Sequence, residues 1–421
     1  MIIMLTNSPN QNLFSLSILI TLFNVNLQKL EITKLSYIII GDELSFWTTN
    51  LALWLTFILI IMKTNYKTYY TKILFSTLIT FILTFYTWNF IIFYFMFEIS
   101  IILILLIIMI WGYQPERVEA VMFIIVITVV VSLPFLARIM NNLNRLNFWI
   151  IQETSITIWD YVSFIIIFMI KIPTVFLHMW LPKIHVESPI QGSIVLASVM
   201  LKLGSYGIIR TTGFTMLLNI KYAFLILAFT IWTIILIRAV CLTQTDLKTL
   251  IAYSSIVHIT TVFSTIILNK SKGMLGTVAI ILGHGICSSG LFYLANFIYK
   301  ITKSRRVIIN KGAIILRPTF CIIWFRLCIR NTPMPPSINL LGEFIAFKTA
   351  TNWSWIIILI VIPIIFIRSF YSIYLFYLPT HRIYTKSTMK INILTRKSLN
   401  IVILHIIPII LLITKPQIII I

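Results

Sequence analysis

The sequence predicts an all-α protein, built as a polytopic transmembrane helical bundle. Of its 421 residues, 59% are hydrophobic and only 10% carry a charged side chain, whereas about 25% are charged in ordinary soluble domains. Apolar runs long enough to cross a bilayer recur along the whole chain. A soluble fold has no place to bury this much apolar surface, but a bilayer offers an apolar layer about 30 Å thick.

The apolar runs predict 12 to 14 crossings joined by short connections. Every crossing is expected to be helical, because lipid leaves an open chain no other way to satisfy its backbone hydrogen bonds. The first and last runs are short, and the run 337–351 fits one half of a broken helix. The predicted crossings are 12–27, 46–62, 70–86, 88–111, 118–140, 159–181, 190–212, 221–242, 248–268, 274–299, 307–329, 337–351, 354–378 and 399–413.

The net charge of +22 arises from basic residues that lie mostly in short stretches between apolar runs, as at 300–306. This placement predicts loop anchoring, orientation by the positive-inside rule and contact with anionic membrane lipids. Nucleic-acid binding is not expected, because no stretch is long enough to fold as a basic domain outside the membrane.

The sequence offers no pattern for a cofactor. The four cysteines form no C-x-x-C pair, and no histidine lies at zinc spacing from two of them, so they are predicted to be small buried apolar residues. Glycine-rich nucleotide motifs and the cysteine spacing of iron–sulfur clusters do not occur. We therefore expect no redox centre and no bound metal on this chain.

Three charged residues lie near the middle of apolar crossings: Glu98, Lys171 and Lys202. Each is about 15 Å or more from the nearest end of its crossing, at about 1.5 Å per residue. A charge at the bilayer centre costs about 2.5–3.5 kcal/mol, so such residues are expected to be functional. The alternatives are a structural ion pair or a protonated acid for Glu98, and lysine side chains that extend to the membrane interface.

Helix-breaking residues lie close to these charges. One proline in a membrane helix is common, but broken helices at mid-depth are typical of ion and substrate sites. A further acid, Glu343, follows a proline-rich break, with a helix-end position near Lys348 as its alternative. The breakers are Pro173, Gly204, Gly207, Pro333, Pro335 and Pro336.

Four histidines add to the candidate relay, because imidazole gains and loses a proton near neutral pH. His284 is the preferred relay member, since it lies deep in its crossing between two glycines. For any single histidine the alternative is a hydrogen-bonded packing residue. Lys248 either joins the relay or pairs with Asp246, which is predicted to begin a helix. The remaining histidine candidates are His178, His185 and His258.

Acids and bases on successive helices are what a proton relay requires. Removal from water favours the neutral form of both a carboxyl and an ammonium group, which lets the two exchange protons near neutral pH. The charges at matched depth therefore predict an ion path through the membrane.

Longer motifs surround these charges. Lys171-Ile172-Pro173 is followed at 178–193 by HMWLPKIHVESPIQGS, and LKLGSYG stands at 201–207. These stretches closely resemble the signature of the subunit 4 family of mitochondrial NADH:ubiquinone oxidoreductase, the antiporter-like subunits of the membrane arm of respiratory complex I. Further matches, in the family's order, are Trp111 to Arg117, Gln244 to Lys248, Ala252 to Ser255, His284-Gly285, Pro335-Pro336 and Asn339 to Glu343.

This resemblance implies an antiporter-like fold with broken helices, spanning the mitochondrial inner membrane several times. It implies N-terminal helices at 1–87 that are shortened relative to the family, a proton-translocation core at 88–350 and C-terminal helices at 351–421.

The resemblance also implies roles for single residues. In the family, a mid-membrane Glu–Lys pair matches Glu98 and Lys171, and a central lysine matches Lys202. A relay histidine matches His284, and a terminal acid matches Glu343. Proton pumping is coupled in that family to electron transfer from NADH to ubiquinone.

The implied partners are other complex I subunits, especially neighbouring antiporter-like subunits, together with membrane lipids. FMN and iron–sulfur clusters are expected on other subunits, with NAD and ubiquinone as substrates of the complex. Two alternatives are a subunit of a stand-alone cation/proton antiporter, which shares ancestry and much of the motif set, and a structural spacer. The spacer leaves the central charges without a use, although buried charges are costly.

Overall fold

The computed structural model describes residues 33–34, 40–62, 68–87, 89–112, 114–141, 157–312, 318–381 and 396–414. The predicted crossing 12–27 lies outside these residues. Within them the only named strands are an antiparallel pair of two residues each, β1 (Thr33–Lys34) and β2 (Ile40–Gly41). The predicted all-α class is confirmed.

Fourteen α-helices and one π-helical turn account for most of the other described residues. The π-helical turn, Leu196–Met200, lies between α7 and α8. In order, the helices are α1 (Glu43–Ile61), α2 (Thr68–Tyr86), α3 (Phe90–Trp111), α4 (Arg117–Asn141), α5 (Ile158–Lys171), α6 (Trp180–Glu187), α7 (Ile190–Val195), α8 (Leu201–Thr243), α9 (Leu247–Ile267), α10 (Ser271–Thr302), α11 (Pro318–Asn331), α12 (Ile338–Trp353), α13 (Ile357–Thr380) and α14 (Arg396–Thr414).

Eight helical segments of the described residues are long and apolar enough to cross a membrane, which confirms the polytopic prediction. They are α1, most of α2, α3, α4, the stretch Ile190–Thr243, α9, α10 and α13. The total of 12 to 14 crossings stays a prediction, because α5, α11 and α12 have only 14, 14 and 16 residues.

The centre of the bundle is formed by α9 and α10, each with 89% of its membrane span buried inside the protein. By contrast, α4 and α13 are only 33% and 28% buried and present exposed apolar side chains on their outer faces. Lipid or another protein must cover those faces, since large apolar surfaces are not left in water.

The predicted crossing 159–181 is not one continuous helix. The helix α5 ends at Lys171, and non-helical backbone joins it to α6, which begins at Trp180. Pro173 explains the break, because its ring nitrogen cannot donate a hydrogen bond and its ring crowds the preceding turn. The indole Nε1 of Trp180 donates to the carbonyl of Ile170 at 3.1 Å, which satisfies one acceptor that the break leaves open.

Two predicted crossings, 190–212 and 221–242, are separate in the prediction but continuous in the structure. Helical backbone runs from Ile190 to Thr243 without a loop. The stretch 213–220 contains one glycine and no proline, so nothing in it ends a helix.

Gly204 and Gly207 do not break α8, contrary to the prediction. They are positions of close packing. A Cβ atom on Gly204 would lie 2.9 Å from Cβ of Lys171, and a Cβ atom on Gly207 would overlap the ring of Phe168. Both glycines therefore let α8 approach α5 closely at the level of the break.

The predicted crossing 307–329 is helical only from Pro318. Residues 307–312 form turns, and 313–317 lie outside the described residues. The proline-rich stretch 332–337 then separates α11 from α12, so the predicted break at this point is confirmed.

All four cysteines are free, three of them buried and Cys321 half-buried, as the sequence predicts.

We expect Gly207→Ala to destabilise the protein, because the added methyl group overlaps the Phe168 ring. Overpacking of this kind costs about 1–3 kcal/mol, which outweighs the gain of about 1 kcal/mol in helix propensity. The measurement is the midpoint of thermal aggregation of the detergent-extracted protein.

Gly213→Ala is the matched control for this prediction, since no atom lies within 4 Å of its added methyl group and it belongs to the same helix. Its midpoint should equal or exceed that of the native protein. Equal midpoints for the two variants would contradict the close contact of α5 and α8.

Candidate functional site

Glu98 of α3 and Lys171 of α5, the predicted mid-membrane pair, lie within electrostatic reach of each other. Lys171 is 5% exposed, and its Nζ lies 4.5 Å from the centroid of the Phe97 ring. Glu98 and Lys171 attract each other electrostatically. Oε1 of Glu98 is buried without a hydrogen-bond partner in the described chain. Glu98 is half-buried and Lys171 is buried, and the ion pairs of the described residues do not include these two.

Lys202 lies at the π-helical turn. Its side chain is buried, with 2% exposed, and Nζ donates to the carbonyl of Ala197 at 2.6 Å. A π-helical turn shifts the backbone hydrogen bonds from i+4 to i+5, which frees a carbonyl for such a side chain. Gly204, two residues later, contacts Lys171, so the two lysines lie on helices that touch.

His284 and His258 stack on each other, with ring centroids 4.5 Å apart and an angle of 23° between the rings. Both side chains are buried, at 1% and 0% exposure. His284 lies within electrostatic reach of Lys202, and both of its ring nitrogens lack a hydrogen-bond partner in the described chain. His258, predicted only as a supporting residue, is therefore the direct neighbour of His284.

Glu343 forms the far end of this path. Its Oε1 lies 2.8 Å from Nδ1 of His258, and its Oε2 accepts a hydrogen bond from Arg368. The carboxylate is 2% exposed. The alternative of a helix-end acid near Lys348 is therefore wrong, because Glu343 is buried and its partners come from α9 and α13.

Sequence reasoning missed Arg368, although the signal was present. This arginine lies in the middle of the apolar helix α13, the same kind of position that identified Lys202. It is 2% exposed and also donates to the carbonyl of Asn331 at 3.1 Å. A second missed residue, Arg238 of α8, is fully buried, interacts with Arg368 and donates to the carbonyl of Ile364.

Lys248 and His185 form a second branch. Nζ of Lys248 donates to the carbonyl of Ser188 at 3.1 Å. His185 is fully buried, stacks on Phe292 at 4.5 Å between centroids and interacts with both Lys248 and Lys202. Nζ of Lys248 therefore binds Ser188, and the ion pairs of the described residues do not include Lys248 with Asp246, while its place in the relay stays a prediction.

Two predicted residues lie apart from this arrangement. Asp246 occupies the N-cap position of α9 as predicted, but its side chain makes no capping hydrogen bond. His178 is half-buried and lies 5.9 Å from the Tyr253 ring, centroid to centroid.

The site is therefore a line of acids and bases that runs from the half-buried Glu98 to the buried Glu343. Its orphaned polar atoms include Oδ1 of Asn339 and both nitrogens of His284. Buried polar groups in proteins are paired with protein or with water, so this line can hold water between its members. No cluster of three or more metal-binding side chains occurs within the described ranges.

A membrane-spanning helical bundle with such a line belongs to the class of ion-translocating membrane proteins. The chain is a member of the family described as "NADH:quinone oxidoreductase/Mrp antiporter, TM", whose sequence model matches residues 87–367. The family resemblance of the motifs is thereby confirmed.

Individual relatives agree with this assignment. The chain is 36% identical over 379 residues to NADH-ubiquinone oxidoreductase chain 4 of Ceratitis capitata, covering 88% of this chain and 84% of that protein. It is 35% identical over 402 residues to the same chain of Scyliorhinus canicula, covering 90% and 86%. A chain of respiratory complex I from Thermus thermophilus with bound NADH has the same fold, with a TM-score of 0.87, 18% identity and coverage of 97% and 91%.

We expect Arg368→Met to destabilise the protein strongly, because it leaves the Glu343 carboxylate buried without its cation. Breaking a buried ion pair from one side costs about 3–5 kcal/mol. The double variant Arg368→Met/Glu343→Gln removes both charges and should regain much of this loss. The measurement is the amount of folded chain in mitochondrial membranes.

The control is Arg326→Met on α11, which removes an exposed arginine and should leave the amount of folded chain unchanged. Additive losses in the double variant would contradict the Arg368–Glu343 pair.

Proposed function

We propose that this chain moves protons across the membrane along a relay of Glu98, Lys171, Lys202, His284 and Glu343. The observation that carries the proposal is the order of these groups through the bundle. Glu98 lies within electrostatic reach of Lys171, Lys171 packs against the helix of Lys202, and Lys202 lies within electrostatic reach of His284, which stacks on His258 beside Glu343. Unused charges in such a place are costly, and proton transfer is the use that acids and bases share.

The chain is an antiporter-like subunit of the membrane arm of NADH:ubiquinone oxidoreductase, respiratory complex I. It lies in the mitochondrial inner membrane and crosses it several times. We infer that FMN and the iron–sulfur clusters belong to other subunits, and that NAD and ubiquinone are substrates of the complex. We also infer that this chain itself carries no redox centre.

Each pair in the relay can exchange a proton by ordinary acid–base chemistry. Glu98 and Lys171 together alternate between a carboxylic acid with an amine and a carboxylate with an ammonium group. Lys202 receives or donates its proton at the π-helical turn, where the carbonyl of Ala197 holds its Nζ.

The stacked histidines extend the relay toward Glu343. Imidazole can accept a proton on one ring nitrogen and release it from the other. Nδ1 of His258 contacts the carboxylate of Glu343, and the ring of His284 lies against that of His258. A proton that leaves Lys202 therefore has a route through His284 and His258.

We propose the same division of the chain as the sequence predicts: helices at 1–87, a translocation core at 88–350 and helices at 351–421. All five relay residues lie in the core. Arg368 lies beyond it in α13, yet it binds Glu343, so the C-terminal helices complete the end of the relay. Supporting roles fall to His258, Lys248 and His185 by their contacts.

The exposed apolar faces of α4 and α13 fit neighbouring antiporter-like subunits and membrane lipids as partners. A stand-alone cation/proton antiporter is the second candidate, because the family description covers both kinds of protein. The chain 4 relatives favour complex I. Purification of the chain with or without NADH dehydrogenase activity separates the two.

We expect Lys202→Met in the assembled complex to abolish or strongly reduce NADH-driven proton pumping, since methionine keeps the length of the side chain but cannot carry a proton. Glu98→Gln should have the same effect. The measurement is proton translocation per NADH oxidised in proteoliposomes.

The matched control is Lys221→Met, which removes an exposed lysine from the same helix and should pump normally. A normal proton-to-electron ratio in Lys202→Met would rule out the relay. A spacer would instead lose assembly while each assembled complex still pumped normally.

A further inference from the structure

One buried acid near the relay has no role so far. Glu187 is the last residue of α6 and is only 3% exposed. Its Oε2 atom is buried and has no hydrogen-bond partner in the described part of the chain. Leaving a buried carboxylate oxygen without a protein partner is unfavourable, so its retention calls for a reason.

Charged groups face Glu187 from several elements. Lys248 approaches from α9, Arg305 from the segment after α10, and Glu116 from the turn before α4, while Lys183 lies on its own helix. A hydrogen bond places Lys248 beside Glu187: Nζ of Lys248 donates to the carbonyl of Ser188, the next residue in the chain. Glu187 is therefore a buried acid beside a buried base.

An exposed ion pair lies near Glu187. Lys183 forms an ion pair with Glu119 near the start of α4, and their side chains are 37% and 71% exposed. This pair marks an aqueous end of the bundle. Glu187 lies within electrostatic reach of both Lys183 of that pair and Lys248, which is itself 7% exposed.

From Lys248 the path continues inward. His185 interacts electrostatically with both Lys248 and Lys202. The ionisable groups from Glu187 through Lys248 and His185 thus reach the central lysine of the relay.

We propose that Glu187 is the proton acceptor at the aqueous end of this second branch and passes protons to Lys248. This inference rests on the proposed relay function. The Glu187 carboxylate takes a proton from a hydronium ion of the aqueous phase, which leaves a water molecule, and becomes a carboxylic acid. It then gives that proton to the neutral amine of Lys248, which becomes ammonium, and the carboxylate is restored.

A permanent structural ion pair is the competing explanation for Glu187. The ion pairs of the described residues do not include it, although two lysines and an arginine face it. An acid that served only to neutralise these cations would hold one of them in direct contact. A group that must repeatedly gain and lose a proton functions better without a direct ion pair that holds it in its charged form.

The test compares Glu187→Gln with Glu119→Gln in the intact complex. The first removes the proposed acceptor, and the second removes one carboxylate from the exposed pair nearby. NADH-driven proton pumping is measured in proteoliposomes and divided by NADH oxidation with an artificial electron acceptor, which counts assembled complexes. We expect Glu187→Gln to pump at least about tenfold more slowly and Glu119→Gln to match the native complex.

Glu187→Asp covers the case in which the glutamine variant does not assemble. It keeps a carboxyl group but withdraws it from Lys248 by one methylene group, so we expect full assembly and a pumping rate about two- to fivefold lower. A native rate in either Glu187 variant overturns the proposal.

Lys202→Met, measured in parallel, distinguishes a failure of the Glu187 proposal from a failure of the proposed relay. If it fails to pump while Glu187→Gln pumps normally, the relay stands and only the role of Glu187 is overturned. If Lys202→Met itself pumps normally, the relay is overturned as well.

Discussion

The cost of holding a charge in hydrocarbon is the constraint on which this structure depends. A regular membrane helix pairs all of its own backbone groups and offers a buried ammonium group nothing to bind. Two lysines of the proposed relay lie where the α-helix is interrupted: Lys171 at the end of α5, and Lys202 beside the π-helical turn. The interruption frees carbonyls, and the carbonyl of Ala197 binds Lys202 directly. Helix breaks and buried charges are therefore one feature.

The membrane class and most of the candidate site could be predicted from the sequence. Composition and the length of the apolar runs are enough to predict a helical bundle, because the bilayer permits so few folds. Glu98, Lys171 and Lys202 stand out because each interrupts a long apolar run near its middle. Pro173 predicts the break after Lys171 for a local steric reason, and the structure has it there.

Other features depend on packing and escape local reasoning. The π-helical turn Leu196–Met200 contains neither proline nor glycine, so no residue in it predicts the change from α-helical to π-helical hydrogen bonds. From the sequence alone, Gly204 and Gly207 predict breaks in the helix. Their actual role depends on the neighbouring helix, since their missing side chains make room for Lys171 and Phe168. Arg368 differs from these, since its sequence position alone was sufficient to identify it.

The acids at the two ends of the proposed relay, Glu98 and Glu343, have different partners. At the Glu98 end, the partner is Lys171, a base that can itself give up a proton. At the Glu343 end, one carboxylate oxygen accepts a hydrogen bond from Arg368, and the other contacts Nδ1 of His258. Arg368 also contacts the His258 ring, at 2.9 Å from Nε2, so it holds both members of the proposed Glu343 end of the relay in place.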